Sequence, residues 1–389
     1  MFSHRTDWKL TPNRFTAAQQ ELRAKGRELL DLTISNPTHA DLHYEAETIL
    51  TALAHPAAMA YDPQPKGLLT ARQAVADYYR EQHECFDLSP ESLVLTASTS
   101  EAYSYIFRLL CDPEDEILVP KPSYPLFEFL AGLEDVKLVP YPLLYDHGWQ
   151  IDFPSLYQAV NHRTRAVVVV HPNNPTGNYV NQREELNAFC REYNLALLVD
   201  EVFLDYSRDG APRGTFACNP ATLTFTLSGL SKISALPQLK LAWMAISGPE
   251  ERAATAVARL EVIADTYLSV NTPVQLAAPE LLAQRRRIQA LLLDRVRTNL
   301  DELDFLLAKQ KACQRLEVEG GWYAVLRVPA TQSDDDLAIE LIEKTSVLVH
   351  PGHFYDFPSD GYMVLSLITP TGHFREGVQR VLAQLRTGD

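Results

Sequence analysis

Short runs of consecutive apolar residues punctuate the first two thirds of this 389-residue chain, at 93–96, 116–119, 136–141, 167–170, 197–199, 223–227 and 241–246. Most lack the alternation of a strand with one wet face. Continuous apolar runs of this length mark parallel strands covered on both sides. Between many of them the apolar positions recur at helical spacing. In 67–80, Leu68, Ala71, Val75 and Tyr78 or Tyr79 share one face, and 101–110 forms another helical run. Strand and helix in alternation predict βαβ units around a mostly parallel sheet.

The pattern changes at both ends. An N-terminal arm leads to a predicted helix at 15–29 and a short strand at 30–34, ended by Ser35-Asn36-Pro37-Thr38. After Thr272-Pro273 come a long helical region, 278–309, strands at 322–328 and 363–368, a helix at 333–344 and a final helix at 374–385. Ser333 suits an N-cap, and Asp334, Asp335 and Asp336 suit the positive end of that helix. Arg285-Arg286-Arg287 reads as a solvated helix face. A chain this long favours two domains. The expected fold is α/β: a large domain over 46–273 with a mostly parallel seven-stranded sheet, and a smaller α/β domain over 274–389. Residues 1–45 supply the arm and part of the small domain.

Composition narrows the class. Hydrophobic content of 46% fits a globular protein. A formal charge of −15 argues against binding nucleic acid or anionic membranes. No apolar run approaches the roughly 18 residues of a membrane span, and the first residues lack a signal core. The five cysteines, Cys85, Cys111, Cys190, Cys218 and Cys313, are odd in number and lack metal-ligand spacing. They are expected as scattered reduced thiols in a soluble, cytoplasmic protein without a metal site.

Candidate chemistry collects at the ends of the predicted strands, where open α/β sheets bind ligands. Lys232 follows the run 222–227 within Ser228-Gly229-Leu230-Ser231-Lys232; Asp200 closes the run 196–199; Asn174 lies just past 166–170. A lysine, an acid and an amide so placed could hold one aromatic cofactor. Around them stand Tyr61-Asp62-Pro63 ahead of Gly67, Thr96-Ala97-Ser98-Thr99-Ser100-Glu101-Ala102, Pro122-Ser123-Tyr124-Pro125, Asn174-Pro175-Thr176-Gly177, Asp200-Glu201-Val202 and Ser231-Lys232. Any one alone is a turn or noise. Together, in this order and over about 30–382, they resemble the fold-type I pyridoxal-phosphate enzymes, and within them the class I/II aminotransferases.

The resemblance implies pyridoxal 5′-phosphate as cofactor and an amino acid and a 2-oxo acid as substrates. Lys232 would condense with the cofactor's aldehyde as the internal aldimine, then carry the proton once its amine is freed. Asp200 would pair with the pyridine nitrogen, and Asn174 would donate to the 3′-oxygen and face the substrate. Asn174-Pro175 is expected as a cis peptide. Ser98, Thr99 and Ser100, ahead of a helix, would take the phosphate, with Ser231 and Lys240 as further ligands. Tyr124 would stack on the ring. Tyr61 matches a tyrosine that reaches a neighbouring subunit's phosphate, which implies a homodimer with shared sites.

The sequence departs from the family pattern in three places. Phe203 stands where most relatives have a tyrosine that also bonds the 3′-oxygen, so a higher aldimine pKa is expected. Lys240 replaces a phosphate-binding arginine, keeping the charge and losing the fork; Gln238 and Ala242 stand where glycines are usual. Ser228 lies one position before the serine that many relatives use. Val364, in Gly361-Tyr362-Met363-Val364, takes the place of the arginine that clamps the substrate carboxylate. Arg327 is the candidate replacement, Arg375 a poorer one, and Trp322, Tyr323, Phe354 and Tyr355 are candidate pocket walls. The leading reading is an aminotransferase. The alternative is another reaction on the same fold, such as a carbon–sulfur β-lyase. A cofactor-sensing regulator would need an appended DNA-binding module, and a nucleotide-binding oxidoreductase would need a Gly-x-Gly-x-x-Gly after a strand; the chain has neither.

Overall fold

The computed structural model describes residues 1–386. Its fourteen strands run in chain order: β1 Leu30–Asp31, β2 Leu93–Thr96, β3 Glu116–Lys121, β4 Lys137–Tyr145, β5 Trp149–Ile151, β6 Thr164–Val170, β7 Ala196–Asp200, β8 Thr224–Gly229 and β9 Ala242–Ser247. Then follow β10 Gln314–Arg315, β11 Tyr323–Arg327, β12 Val347–Leu348, β13 His350–Pro351 and β14 Tyr362–Ser366. The large sheet has the order β2-β9-β8-β7-β6-β3-β4-β5. The inner strands β4, β3, β6, β7 and β8 pair in parallel, and β9 runs against both its neighbours. Seven strands were expected and eight are present. The extra one, β5, folds back antiparallel on β4. Three residues around Gln150 are too few for a periodicity to show.

The continuous apolar runs are buried on both faces, as parallel strands require. Ile117, Val168 and Leu198 pack under helices Thr99–Leu110 and Glu250–Tyr267, and their chain neighbours Leu118, Val167 and Leu197 belong to a separate cluster on the other face. That second cluster is continuous with the core of the small sheet, β10-β11-β14-β13, all antiparallel. β1 pairs in parallel with β12, so the N-terminal segment is tied to the C-terminal region.

Several expectations need correction. The helical region 278–309 is two helices, Thr272–Ala283 and Arg285–Leu307. Asn271 caps the first, accepting from the Val274 N–H at 3.1 Å, and Pro273 lies in its first turn, so Thr272-Pro273 starts a helix. Arg285 is not solvated: it is 3% exposed, donates to the Leu282 carbonyl at 2.8 Å and lies over the Tyr78 ring. Its neighbour Arg286 remains exposed. Asp334 is also buried and accepts from the Gly361 and Tyr362 N–H groups, which pins the turn entering β14. Cys85 and Cys218 form a disulfide with Cα atoms 6.0 Å apart, while Cys111, Cys190 and Cys313 are free. Among the described residues no helix is long and apolar enough to cross a membrane, and no group of three or more His, Cys, Asp or Glu could hold a metal.

Candidate active site

The register of the parallel strands assembles the site. Asp200, last in β7, lies between Val170 of β6 and Leu227 of β8. Just beyond Val170 the chain reaches Asn174, and just beyond Leu227 it reaches Lys232. Gly229 lets β8 close on β9: a Cβ there would lie 2.8 Å from the Ala242 Cβ.

Asp200 accepts from the Val202 N–H at 3.1 Å and the Tyr103 hydroxyl at 3.3 Å. Burial nevertheless pushes its carboxyl up to about 6; those two bonds and the Lys232 charge oppose the rise. Burial in turn lowers the Lys232 amine to about 8, against the pull of Asp200. The amine lies 5.1 Å from the Trp322 ring centre and 5.6 Å from that of Phe203, so aromatic faces replace much of its water. Both residues keep partial contact with solvent, and an acid and an amine shifted this way while still reachable mark a functional site more often than a structural one. The neighbouring Glu201 belongs elsewhere: it accepts from the Thr215 hydroxyl and the Phe216 N–H, both at 2.6 Å, on the far side of the strand.

Asn174 is buried, and its Oδ1 has no hydrogen-bond partner among the described residues. Such an orphan calls for an explanation. The Asn174-Pro175 peptide is cis, as are Lys121-Pro122 and His171-Pro172. Asn173 fixes the turn by donating to the Pro122 carbonyl at 3.0 Å and to the Thr176 hydroxyl at 2.7 Å. Gly177, at φ +73, presses its bare Cα against Val318 and accepts from the Glu319 and Gly320 N–H groups. Tyr124 follows the Pro122 turn and is 44% exposed; partial burial first and the Asp200 charge second raise its phenol.

Ser98 caps helix Thr99–Leu110 by accepting from the Glu101 N–H at 3.1 Å, and Glu101 returns a bond to the Ala97 N–H at 2.7 Å. Thr99 and Ser100 occupy the first turn, where N–H groups lack intrahelical partners. Ser231 lies in the short helix Leu230–Ile233, next to Lys232. Lys240 is exposed at φ +54, at the exit of the turn that follows.

Other predicted residues are not brought to this cluster. Tyr61 is 84% exposed and lines a cleft with Gln64, Gly67, Tyr105, Leu268 and Ser269. Arg327 ends β11 five residues beyond Trp322, is exposed and lies over the Tyr362 ring, which leaves it far along the strand from Lys232. Arg375 pairs with Glu302. Val364 is fully buried between Val325 and His350 in the small sheet. Two contributors went unnoticed in the sequence, Tyr103 beside Asp200 and Tyr206, whose hydroxyl donates to the Lys232 carbonyl at 2.6 Å. Tyr103 shares a helix face with Phe107 and reads there as ordinary core.

The residues at the strand ends fit pyridoxal phosphate. They offer an amine of lowered pKa, a carboxyl within its field, a buried amide and the N-terminus of a helix. Fold and cluster together define a fold-type I pyridoxal-phosphate enzyme. The family model for aminotransferase class I and II matches residues 27–371. The chain belongs to that family and is an aminotransferase.

Relatives agree. The chain is 28% identical over 373 residues to an alanine aminotransferase of Mycobacterium tuberculosis, covering 92% of this chain and 86% of that one. It is 26% identical over 370 residues to the glutamate-pyruvate aminotransferase AlaA of Haemophilus influenzae, covering 92% and 91%. The solved structure of an alanine aminotransferase from Pyrococcus furiosus superposes with a TM-score of 0.89 at 23% identity, covering 100% of both chains; that likeness bears on the fold.

Proposed function

We propose that this aminotransferase holds pyridoxal phosphate through Lys232, Asp200 and Asn174 and moves an amino group between an amino acid and a 2-oxo acid at that site. The observation that carries the assignment is the Lys232–Asp200 pair, an amine lowered and a carboxyl raised by their shared surroundings, with the buried Asn174 just past the adjoining strand. When bound, the cofactor supplies an aldehyde to take the amino group and a ring to draw electrons from the substrate's α-carbon. The protein does the rest. Asp200, held by Tyr103 and the Val202 N–H, keeps a proton on the ring nitrogen it faces. Asn174 donates to the ring's oxygen. Ser98, Thr99 and Ser100, with the free N–H groups of their helix, receive the phosphate, and Ser231 and Lys240 close around it. Tyr124 covers the ring. Lys232, with its amine near 8, gives and takes a proton near neutral pH.

The same reading divides the chain at 45 and 273 and makes it a homodimer in which Tyr61 completes a partner's phosphate site; the exposure of Tyr61 in a cleft supports this. It also places the enzyme in the cytoplasm. The Cys85–Cys218 disulfide stands against that location, and differential thiol alkylation of cellular protein decides it. The names of the relatives put alanine, glutamate and pyruvate first among substrates to try.

The test is a half-reaction. Loaded enzyme mixed with one amino acid and no acceptor should yield one equivalent of 2-oxo acid per site, and many turnovers once an acceptor is added. Ammonia released from a β-substituted amino acid, with no transfer to any acceptor, would move the assignment to the β-lyase reading.

A further inference from the structure

The segment that carries Lys232 is a single helical turn, Leu230–Ile233, and it leaves through Ala235 at φ +54. The Lys232 carbonyl takes the Ala235 N–H at 3.2 Å, but a turn this short leaves bonding capacity on its last carbonyls. Three side chains from three other parts of the chain fill it. The Tyr206 hydroxyl donates to the Lys232 carbonyl at 2.6 Å, the Gln289 amide to the Ile233 carbonyl at 2.9 Å, and the Tyr44 hydroxyl to the Ala235 carbonyl at 2.9 Å.

The Gln289 donor is itself held. The same amide nitrogen donates to Asp205 Oδ2 at 2.6 Å. The other Asp205 oxygen accepts from the Tyr78 hydroxyl at 3.0 Å and lies 2.9 Å from His83 Nε2. Both the His83 and the Asp205 side chains are almost fully buried. A line of polar contacts therefore runs from helix Leu69–His83, through the loop after β7, to helix Arg285–Leu307 and ends on the backbone of the Lys232 turn.

Resting on the assignment of Lys232 as the reactive amine, we propose that Asp205 and Gln289, with Tyr206 beside them, are positioning residues for Lys232, fixing the carbonyls of its turn and so the place of its amine over Trp322 and Phe203. Stability alone is a poor reason for such a network. Burying an acid with a histidine is costly, and apolar replacements of similar volume are often as stable or more so. Orientation is a better reason, because a misplacement of about 1 Å at a reacting group can cost on the order of a hundredfold in rate.

Tyr206→Phe and Gln289→Met each remove one donor and keep the packing volume. Each should lower kcat by roughly ten- to a hundredfold, with KM nearly unchanged and the variant folded at assay temperature. A second readout avoids turnover. In apoprotein, the pH midpoint for labelling Lys232 with an amine-reactive reagent, followed by mass spectrometry, should move up as the amine drifts into water. Asp205→Asn keeps an acceptor for Gln289 and should retain most of kcat, whereas Asp205→Leu should match Gln289→Met. A loss of melting temperature with kcat and the labelling midpoint unchanged would overturn the proposal, as would Asp205→Asn failing as badly as Asp205→Leu. Activity surviving in Lys232→Ala would instead sink the assignment of Lys232, a distinct result.

Discussion

Lys232 and Asp200 are each held away from their ordinary charge state, and that leaves a signature in apoprotein stability. Asp200 titrates near 6 in the fold instead of near 4. As pH rises from about 4 to 6 the unfolded chain gives up this proton while the native state keeps it, so the residue's contribution to stability falls. Lys232 titrates near 8 instead of above 10. Between about 8 and 10 the unfolded chain holds the extra proton, so stability from this residue rises with pH. Denaturant midpoints of apoprotein across pH should show both limbs. Asp200→Asn should flatten the acid limb and Lys232→Met the alkaline one; unchanged curves would deny the burial of the pair. Phe203 tests the other half of the site. Its ring packs on Trp322 and has no hydroxyl to offer the cofactor's oxygen. Phe203→Tyr should lower the pH midpoint of the loaded enzyme's visible absorbance, and a rise would contradict that.

At the level of elements, helix Thr99–Leu110 starts where Ser98 accepts from the Glu101 N–H and the Glu101 carboxylate accepts from the Ala97 N–H. Ser98→Ala should cost about 1 kcal/mol in urea denaturation, the usual worth of an N-cap, and should weaken phosphate binding further if its hydroxyl serves both ends. The parallel strands were legible because burial on both faces leaves an unbroken apolar run. β5 was not, since three residues carry no period. The break at Gln284 was missed because helical spacing continues across it. Lys232, Asp200 and Asn174 could be picked out because each stands just after such a run. Tyr103 and Tyr206 could not, since a buried phenol looks like any core aromatic until its hydroxyl has a partner. Arg327 shows the reverse failure: a strand and a charge were read correctly, but the pleat and length of β11 carry the side chain away from the site.

For the molecule as a whole, the Cys85–Cys218 link joins positions 133 residues apart. No spacing rule reaches that far; only the folded sheet brings the two together. Closing so long a loop restricts the unfolded chain strongly, so reduction under mild conditions should lower stability by roughly 2–4 kcal/mol, measurable as a lower denaturation midpoint with dithiothreitol. An equal midpoint in both redox states would show that the link adds nothing to stability.

Gly177 has a mechanical consequence. Its carbonyl takes two N–H groups from the segment leading into β11, and its missing side chain lets Val318 seat against the turn that bears Asn174. Asn174 and Trp322 are thereby stitched along one seam. On the opposite side, the loop bearing Tyr124 meets the segment before β14 through the backbone bond from Ser123 to Tyr355 and an exposed Lys121–Asp356 pair. The first seam is all backbone and carries no charge, whereas the second adds an ion pair open to water, so salt reaches the Tyr124 side and leaves the Gly177 side as it is.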